Sequence, residues 1–215
     1  MKGVVVCPQP RAADVGAAIL SKGGTAFDAA VATAFCQMVA DPFMCGMGGM
    51  GSLQVYRAAD GRHEMIDFHT RGGAGVTPDM WAADQKGRSE ISGYSFFDDD
   101  RSELGYTAIM VPGTVRGFAE FHARYCTMEW ADLLAPAIAM ARAGVVVTPF
   151  YHGFLAGTPM AGVPNGYNRI TRTAASASIF LNEEGRVHAI GETLMLTDMA
   201  STMERVARGG ADEYY

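Results

Sequence analysis

The sequence lacks the long apolar runs and the basic patches that characterise two large classes of protein. No segment reaches the ~18 consecutive apolar residues that a membrane-spanning helix needs. Seventeen basic residues stand against 23 acidic ones, and the basic residues form no stripe that could follow a nucleic-acid backbone. The apolar start, Val4 to Cys7, is too short for a signal peptide. We therefore expect a cytoplasmic protein without membrane or nucleic-acid partners, unless a leader has been removed.

Paired cysteines and clustered histidines are also missing. The four cysteines are irregularly spaced and none forms a C-x-x-C motif, so buried free thiols are expected. The five histidines show no H-x-x-x-H spacing and no Cys/His cluster. Asp98 to Asp100 is the only charge run, and it is more typical of a solvated loop than of a cation site. The sequence thus predicts neither a metal nor a cofactor.

Apolar residues and glycine are abundant. Hydrophobic residues make up 49% of the 215 residues, enough for a substantial core. Helices are predicted from Pro10 to the Gly23-Gly24 pair and, capped by Thr25, from Ala26 to Ala40. An Asp-Gly turn at Asp60 predicts a β-hairpin.

The rest of the chain gives a mixed α and β pattern without an internal repeat. Further helices are predicted over 114–125, 130–143 and from Thr197 to Gly209. Apolar runs at 4–7 and 179–181 predict strands. Residues 69–105 are the least periodic and are interpreted as a long loop or lid.

A glycine loop follows the second predicted helix and contains Gly46, Gly48, Gly49 and Gly51. It matches G-x-G-x-x-G, but a dinucleotide site needs that motif after a strand and at the start of a helix. Here a helix precedes the loop and a strand follows, so a cofactor site is disfavoured. The loop is interpreted as a tight backbone crossing that shapes the floor of an active site.

Five ordered segments resemble the γ-glutamyltranspeptidase family, beginning with a run similar to its L-x-K-G-G-N-A-x-D-A-A-V-A motif. Together they span most of the chain. The segments are 20–32 (LSKGGTAFDAAVA), 39–51 (VADPFMCGMGGMG), 111–117 (VPGTVRG), 133–144 (LLAPAIAMARAG) and 209–215 (GGADEYY).

This resemblance implies an α+β fold, the four-layer αββα Ntn-hydrolase, and self-cleavage of a precursor into two subunits. The family's nucleophile is the N-terminal threonine of the small subunit, whose amine activates its own hydroxyl. That threonine lies beyond the segment similar to 209–215. Residues 1–215 are therefore expected to form one large-subunit domain, incomplete at its C-terminal end, that supplies substrate contacts to a partner small subunit but no catalytic residue.

The segment after the hairpin departs from the family pattern D-[FY]-R-E-x-A-P. The implied role of the family's arginine is to bind the substrate's α-carboxylate, a task suited to a guanidinium fork. Here His69 occupies the arginine position and Arg71 lies two residues on. Either Arg71 reaches the carboxylate from a shifted loop, or the substrate is not a plain γ-glutamyl compound. His69 either contacts the substrate or only ends the hairpin.

Three functional hypotheses remain from the sequence. The first is the large subunit of an enzyme that cleaves γ-glutamyl or related small amides by hydrolysis or transfer to an amine. The second is a relative that hydrolyses a different acyl amide. The third is a binding fragment without catalysis. A serine triad has little support, because Ser52 and Thr114 have no base at a readable spacing.

Overall fold

A computed structural model describes residues 3–90, 93–157 and 164–215. Its contacts group into two compact units. The first comprises Met1–Arg71, Val111–Val145 and Met195–Tyr215, and the second Gly72–Met110 and Val146–Leu194. One domain over residues 1–215 stays a prediction, because clustering of contacts does not show whether the units fold separately.

The described residues form helices joined to three short two-stranded sheets. The α-helices are α1 (Pro10–Ser21), α2 (Ala26–Ala40), α3 (Thr114–Tyr125), α4 (Trp130–Ala143), α5 (Pro149–Ala156), α6 (Gly166–Thr171), α7 (Ala174–Phe180) and α8 (Thr197–Gly209). The strands are β1 (Ser52–Arg57), β2 (Arg62–Asp67), β3 (Gly87–Arg88), β4 (Ser95–Phe96), β5 (Val145–Val146) and β6 (Thr193–Leu194). Short 3-10 helices occupy Ala82–Asp84, Tyr106–Ala108 and Ala211–Tyr214.

Helices α1 and α2 begin where their capping residues predict. Pro10 is the first residue of α1, where its fixed φ suits a helix and its missing N–H has no intrahelical partner to lose. Thr25 and Asp28 form a reciprocal capping box at the start of α2. The chain reverses between them at Gly23, whose φ of +94° is unfavourable for residues with a side chain.

Asp28 also joins α2 to the segment between α3 and α4. Its buried carboxylate accepts hydrogen bonds from the backbone N–H groups of Thr25, Thr127 and Met128 and from both threonine hydroxyls. Burial alone would raise the pKa of Asp28, but these bonds favour the charged form and hold the pKa well below its ordinary value. A buried charge is thereby stabilised entirely by neutral donors.

The core of the first unit is built around Phe35 on α2. Its fully buried ring makes edge-on contacts with Phe118 and Trp130, with centroid separations of 5.7 and 5.4 Å. The Trp130 indole N–H donates to the carbonyl of Val206 on α8 at 3.0 Å, so its polar atom is paired. Leu133 on α4 is also fully buried, and each such side chain contributes about 1.5–3 kcal/mol.

The β1–β2 hairpin is formed as predicted. Its register pairs Ser52 with Asp67 and Arg57 with Arg62, and Gly61 in the turn has a φ of +68°. This register places the residues that follow Asp67 at the open end of the hairpin, beside the point where the glycine loop enters β1.

The second unit consists of short elements joined by ion pairs. Antiparallel β3 and β4 pair Gly87 with Phe96. Arg101 binds Asp84 at 2.9 Å, and Arg169 binds Glu103 at 3.0 Å. Most of the predicted 69–105 loop lies in this unit, so it contains local structure of its own.

Two strand predictions are wrong. Residues 4–7 form no strand and pair with no other segment in the described part of the chain, and Val4 and Val6 are 87% and 90% exposed. An apolar β-branched run favours extension, but a strand also needs a partner for its backbone groups. Ile179 and Phe180 belong to α7, which Thr173 caps by accepting from Ser176 N–H, whereas Leu181 forms an isolated antiparallel bridge with Val187 across the predicted turn.

Candidate substrate-binding site

The glycine loop is attached by its backbone to the start of α3. The Gly49 carbonyl accepts hydrogen bonds from the N–H groups of Gly113 and Thr114 at 3.1 and 3.3 Å. Within the loop, Gly49 N–H donates to Gly46 O at 3.0 Å. The order of α2, loop and β1 agrees with the sequence prediction, and no helix begins at the loop.

Three of the four predicted loop glycines have close neighbours where a side chain would lie. A Cβ at Gly49 would be 2.9 Å from Gly46 O, and one at Gly51 would be 2.9 Å from the Phe68 ring. A Cβ at Gly48 would lie 3.3 Å from the hydroxyl of Tyr214. Gly46 faces open space. The interpretation of the loop as a tight crossing therefore applies to Gly48, Gly49 and Gly51.

Phe68 is surrounded by glycines from two segments, the glycine loop and the start of α3. A Cβ at Gly113 would come within 2.0 Å of the Phe68 carbonyl oxygen, and one at Gly117 within 2.3 Å of its ring. Gly51 contacts the far edge of the same ring. The Phe68 ring also packs against Phe118 with a centroid distance of 5.6 Å. These contacts fix the hairpin end against the first turn of α3.

His69 is oriented by the residue two positions before it. One carboxylate oxygen of Asp67 lies 2.7 Å from His69 Nδ1 and accepts from the His69 backbone N–H at 3.0 Å. The hydrogen bond from the His69 backbone N–H lowers the pKa of Asp67 most, and the contact with the His69 imidazole lowers it further. Both side chains are exposed. This contact directs Nδ1 toward Asp67 and leaves Nε2 for another partner.

Arg71 has a fixed backbone and an unpaired side chain. It forms an isolated antiparallel bridge with Val111, with N···O distances of 3.2 and 2.9 Å. Its side chain is exposed and makes no ion pair or hydrogen bond with any other described residue. Val111 is two residues before Gly113, which binds the Gly49 carbonyl. The structure thus brings the predicted arginine to the edge of the predicted glycine loop.

Residues after α8 form a second boundary of this region. Arg116 on α3 binds Asp212 at 2.9 Å, and its guanidinium lies 4.7 Å from the centre of the Tyr215 ring. The Tyr215 hydroxyl accepts from the Arg116 backbone N–H at 3.3 Å. Burial raises the pKa of the neighbouring Tyr214 hydroxyl, which faces Gly48.

The arrangement is suited to binding an anion rather than to nucleophilic attack. Burial raises the pKa of Cys45, next to the glycine loop, to about 11, and that of Cys36 to about 12.

Across residues 3–90, 93–157 and 164–215, no three His, Cys, Asp or Glu side chains are placed to hold a metal. No helix in these ranges is long and apolar enough to cross a membrane.

Sequence reasoning missed the Phe68 contacts and the role of Arg116. The spacing of Gly113 and Gly117, one helical turn apart on α3, was a detectable signal for close approach of another segment. The partner of these glycines could not be read from the sequence. The Arg116 contacts join residues 96 and 99 positions apart, a separation that local patterns do not report.

Comparison with known proteins gives one family. The sequence model of the gamma-glutamyltranspeptidase family matches residues 12–215. The chain is 35% identical over 216 residues to an acylase ACY 1 proenzyme of Pseudomonas sp. (strain SE83), covering all of this chain and 36% of that protein. It is 34% identical over 214 residues to a glutathione hydrolase proenzyme of Bacillus subtilis (strain 168), covering 99% of this chain and 33% of the relative. The chain spans about a third of the length of these curated relatives.

Solved structures give the same result. The crystal structure of Helicobacter pylori gamma-glutamyltranspeptidase superposes with a TM-score of 0.85 at 26% identity, over 100% of this chain and 57% of that one. Cephalosporin acylase from Bacillus halodurans superposes with a TM-score of 0.75 at 26% identity, over 96% of this chain and 36% of that one. The predicted α+β fold, the large-subunit part of an Ntn-hydrolase, is confirmed by these superpositions.

Proposed function

Because this chain belongs to the gamma-glutamyltranspeptidase family, we propose that it is the large-subunit part of an amidohydrolase or acyltransferase. The substrate is a γ-glutamyl compound or a related small amide. The observation that carries the proposal is Arg71, whose side chain has no partner among the described residues and which lies at the edge of a glycine loop that closely packed neighbours hold in place.

The nucleophile is the N-terminal threonine of a partner small subunit. Its α-amine takes the hydroxyl proton while the oxygen attacks the amide carbonyl, and the amine of the substrate leaves with a proton. The resulting ester acyl-enzyme is then cleaved by water or by an acceptor amine. The names of two relatives as proenzymes support a processed two-subunit protein.

Arg71 binds the substrate carboxylate in this proposal. A guanidinium presents two parallel N–H donors to a carboxylate, which gives both charge and direction. The bridge to Val111 fixes the Arg71 backbone, so substrate binding has to restrict only the rotamers of the side chain. Since no described residue neutralises the guanidinium, an incoming carboxylate does not have to displace a competing anion.

His69 supplies a second, shorter contact. The Asp67 carboxylate fixes the orientation of its imidazole through Nδ1, so Nε2 can hydrogen-bond a polar group of the acyl chain. A neutral imidazole cannot form the paired bonds of a guanidinium. We therefore assign carboxylate binding to Arg71 and a single hydrogen bond to His69.

A second candidate is hydrolysis of a different acyl amide. His69 stands where the family resemblance implies an arginine, and the chain is 35% identical to a protein named as an acylase. An acyl group that has a terminal carboxylate but no α-amino group would still bind Arg71. Such a substrate would not need the contacts that a full γ-glutamyl group requires.

We also propose a cytoplasmic location, on the basis of the thiols. Cys7, Cys36, Cys45 and Cys126 are all free in the structure. Unpaired cysteines in this number suit a reducing compartment. Fractionation of the source cells with an antibody to the protein would test this location.

The proposal is tested first by intact mass and N-terminal sequencing of the protein expressed from its full-length coding sequence. A second chain that begins with threonine is expected. A single unprocessed chain with no amidase activity would overturn the proposal and favour a binding function.

The two substrate classes are separated by comparing γ-glutamyl-4-nitroanilide with glutaryl-4-nitroanilide, which differ only in the α-amino group. A kcat/KM at least tenfold higher for the first supports γ-glutamyl specificity. The reverse order supports the acylase alternative. Hydrolysis of neither anilide by the processed protein would argue against both.

A further inference from the structure

An aromatic cavity lies within the second unit, formed by the segments 78–85 and 94–103. Its volume is about 500 Å³, in the range of small-molecule sites. Aromatic and apolar walls come from Trp81, Phe97, Tyr94 and Met80, and polar groups come from Gln85, Ser95, Ser102 and Glu103. Polar and apolar groups contribute about equally to its lining, and a cavity that combines aromatic walls with a few polar groups can hold and orient a small ligand.

Trp81 forms part of the cavity wall, and its backbone is strained. Its φ of +68° is left-handed, a conformation that is unfavourable for a bulky side chain. Among the described non-glycine residues only Trp81 and Asp100 have positive φ, and both belong to the two segments that form this cavity. Strain of this kind persists where the surroundings enforce it, and it clusters at ligand sites.

The surroundings hold the Trp81 ring in a defined position. The ring packs edge-on against Phe97, which is 8% exposed, with a centroid distance of 5.6 Å. The Trp81 carbonyl accepts from the N–H of Asp84, whose carboxylate binds Arg101 on the opposite segment at 2.9 Å. Lys86 and Asp98 form a second link at 3.1 Å. The indole thus packs against a buried ring, and its backbone turn is joined by ion pairs to the segment that carries that ring.

The charges around the cavity are paired, which restricts the class of ligand. The Glu103 carboxylate, which is the only charged group among the described lining residues, binds Arg169 at 3.0 Å. Arg101 is satisfied by Asp99 and Asp84. A charged ligand would therefore find no free counter-charge here, whereas a neutral ring can stack on the indole.

We propose that this cavity binds a neutral planar aromatic ring that has hydrogen-bonding groups at its edge. The ring stacks against Trp81, and the edge groups meet the amide of Gln85 and the hydroxyls of Ser95 and Ser102. This assignment does not depend on the proposed amidase activity, since it concerns a different set of residues and is tested by binding alone.

The test measures binding of benzamide and of cyclohexanecarboxamide to the full-length protein by saturation-transfer NMR. The two probes share the amide and the six-membered ring but differ in planarity and π-electrons. Benzamide is expected to bind at least fivefold more tightly. Equal affinities would overturn the proposal, because a merely apolar cavity does not distinguish the two.

Variants then locate the binding. Trp81→Ala is expected to weaken benzamide binding at least tenfold, and Trp81→Phe at most threefold. Tyr106→Ala, which removes an 87% exposed aromatic side chain outside this cavity, serves as the matched control and should change nothing. Full affinity in Trp81→Ala would contradict the assignment.

A cavity-filling variant covers the case in which Trp81→Ala does not fold. Ala82 is exposed and lines the cavity, so Ala82→Trp should occupy the space while leaving Trp81 in place. Loss of benzamide binding with an unchanged thermal unfolding midpoint is the expected result. Unchanged binding in this variant would place the ligand elsewhere.

Discussion

Arg71 and Val111 exchange two backbone hydrogen bonds, at 3.2 and 2.9 Å, across a gap of 40 residues in sequence. This bridge holds the backbone of Arg71 beside the segment that leads into α3. The side chain of Arg71 is left without a partner among the described residues. A fixed backbone and a guanidinium available to a ligand are the properties expected of an anion-binding residue.

Replacing Arg71 with alanine should raise KM for carboxylate-bearing substrates. A charge-assisted hydrogen bond contributes about 1.5–3 kcal/mol, which corresponds to a roughly 10- to 150-fold loss in kcat/KM. Arg71→Lys should recover only part of this, because an ammonium lacks the planar fork. Steady-state kinetics with a substrate series provide the measurement.

The matched control for Arg71 is Arg208→Ala, in the last turn of α8. It removes the same charge from an exposed position on a different element of the same unit. Its KM should stay at the wild-type value. If both variants raise KM equally, the effect is long-range electrostatics, and Arg71 has no direct contact with the substrate.

Replacing Gly113 with alanine should destabilise the first unit. The added Cβ would come within 2.0 Å of the Phe68 carbonyl oxygen, so backbone rather than a flexible side chain would have to move. We expect a loss of more than about 2 kcal/mol in the free energy of unfolding, at the upper end of overpacking costs. Denaturant unfolding measures it.

Gly46→Ala, in the glycine loop, is the control: it makes the same glycine-to-alanine change without a clash. A Cβ there meets nothing within 4 Å, so its free energy of unfolding should stay within about 0.5 kcal/mol of the wild type. Equal stability of Gly46→Ala and Gly113→Ala would show that the close approach of Phe68 is not maintained in solution.

The Asp28 carboxylate should make stability depend on pH in the acidic range. Its pKa in the folded protein is depressed below the ordinary value of about 4 that it has when unfolded. The unfolded state therefore binds a proton first as the pH falls, so this contribution is complete above pH ~5 and is lost progressively below it.

Asp28→Asn should remove this pH dependence of stability, and comparison with the wild type measures how large it is. At pH 7 the variant should lose roughly 3 kcal/mol, because an amide cannot accept from donors at both of its ends. The difference from wild type should shrink as the pH falls from 5 toward 2. The exposed Asp14→Asn on α1 is the control, and a similar pH profile for both variants would exclude the buried carboxylate as the cause.

Alkylation should leave Cys36, Cys45 and Cys126 largely intact in the folded protein. Burial raises the pKa of Cys36 and Cys126 to about 12 and that of Cys45 to about 11, so roughly a thousandth or less of each is thiolate at pH 8. Mass spectrometry after iodoacetamide should show slow labelling at these positions and rapid labelling in guanidinium. Rapid labelling of folded Cys45 with loss of activity would instead indicate a thiol nucleophile.

Much of the first unit could be predicted from local signals. Pro10, Thr25 and the Asp60-Gly61 turn each fix their own element through bonds to residues a few positions away. Segment 4–7 was harder to predict, because an apolar run becomes a strand only if another segment pairs with it. Nothing in a run of valines indicates whether such a partner exists.

The candidate site shows the same division. The glycine loop and Arg71 could be selected from the sequence as residues of interest. Their proximity could not, since it depends on Val111 binding Arg71 while Gly113 binds Gly49. Those are backbone contacts between distant segments, and no side-chain pattern encodes their pairing. The roles of Arg71 and His69 stay predictions until substrate binding is measured.

The packing of Phe68 against Gly51, Gly113 and Gly117 also affects how a mutational scan of this protein would be interpreted. One ring and one carbonyl leave too little room for a side chain at three positions in two segments. A scan would find all three as sensitive as residues that touch substrate. Pairing a Gly51 or Gly117 variant with a smaller residue at position 68 would tell the two kinds of sensitivity apart, because both glycines face the Phe68 ring and only a steric defect is relieved by shrinking it. The Gly113 variant would stay defective, because its clash is with the Phe68 backbone.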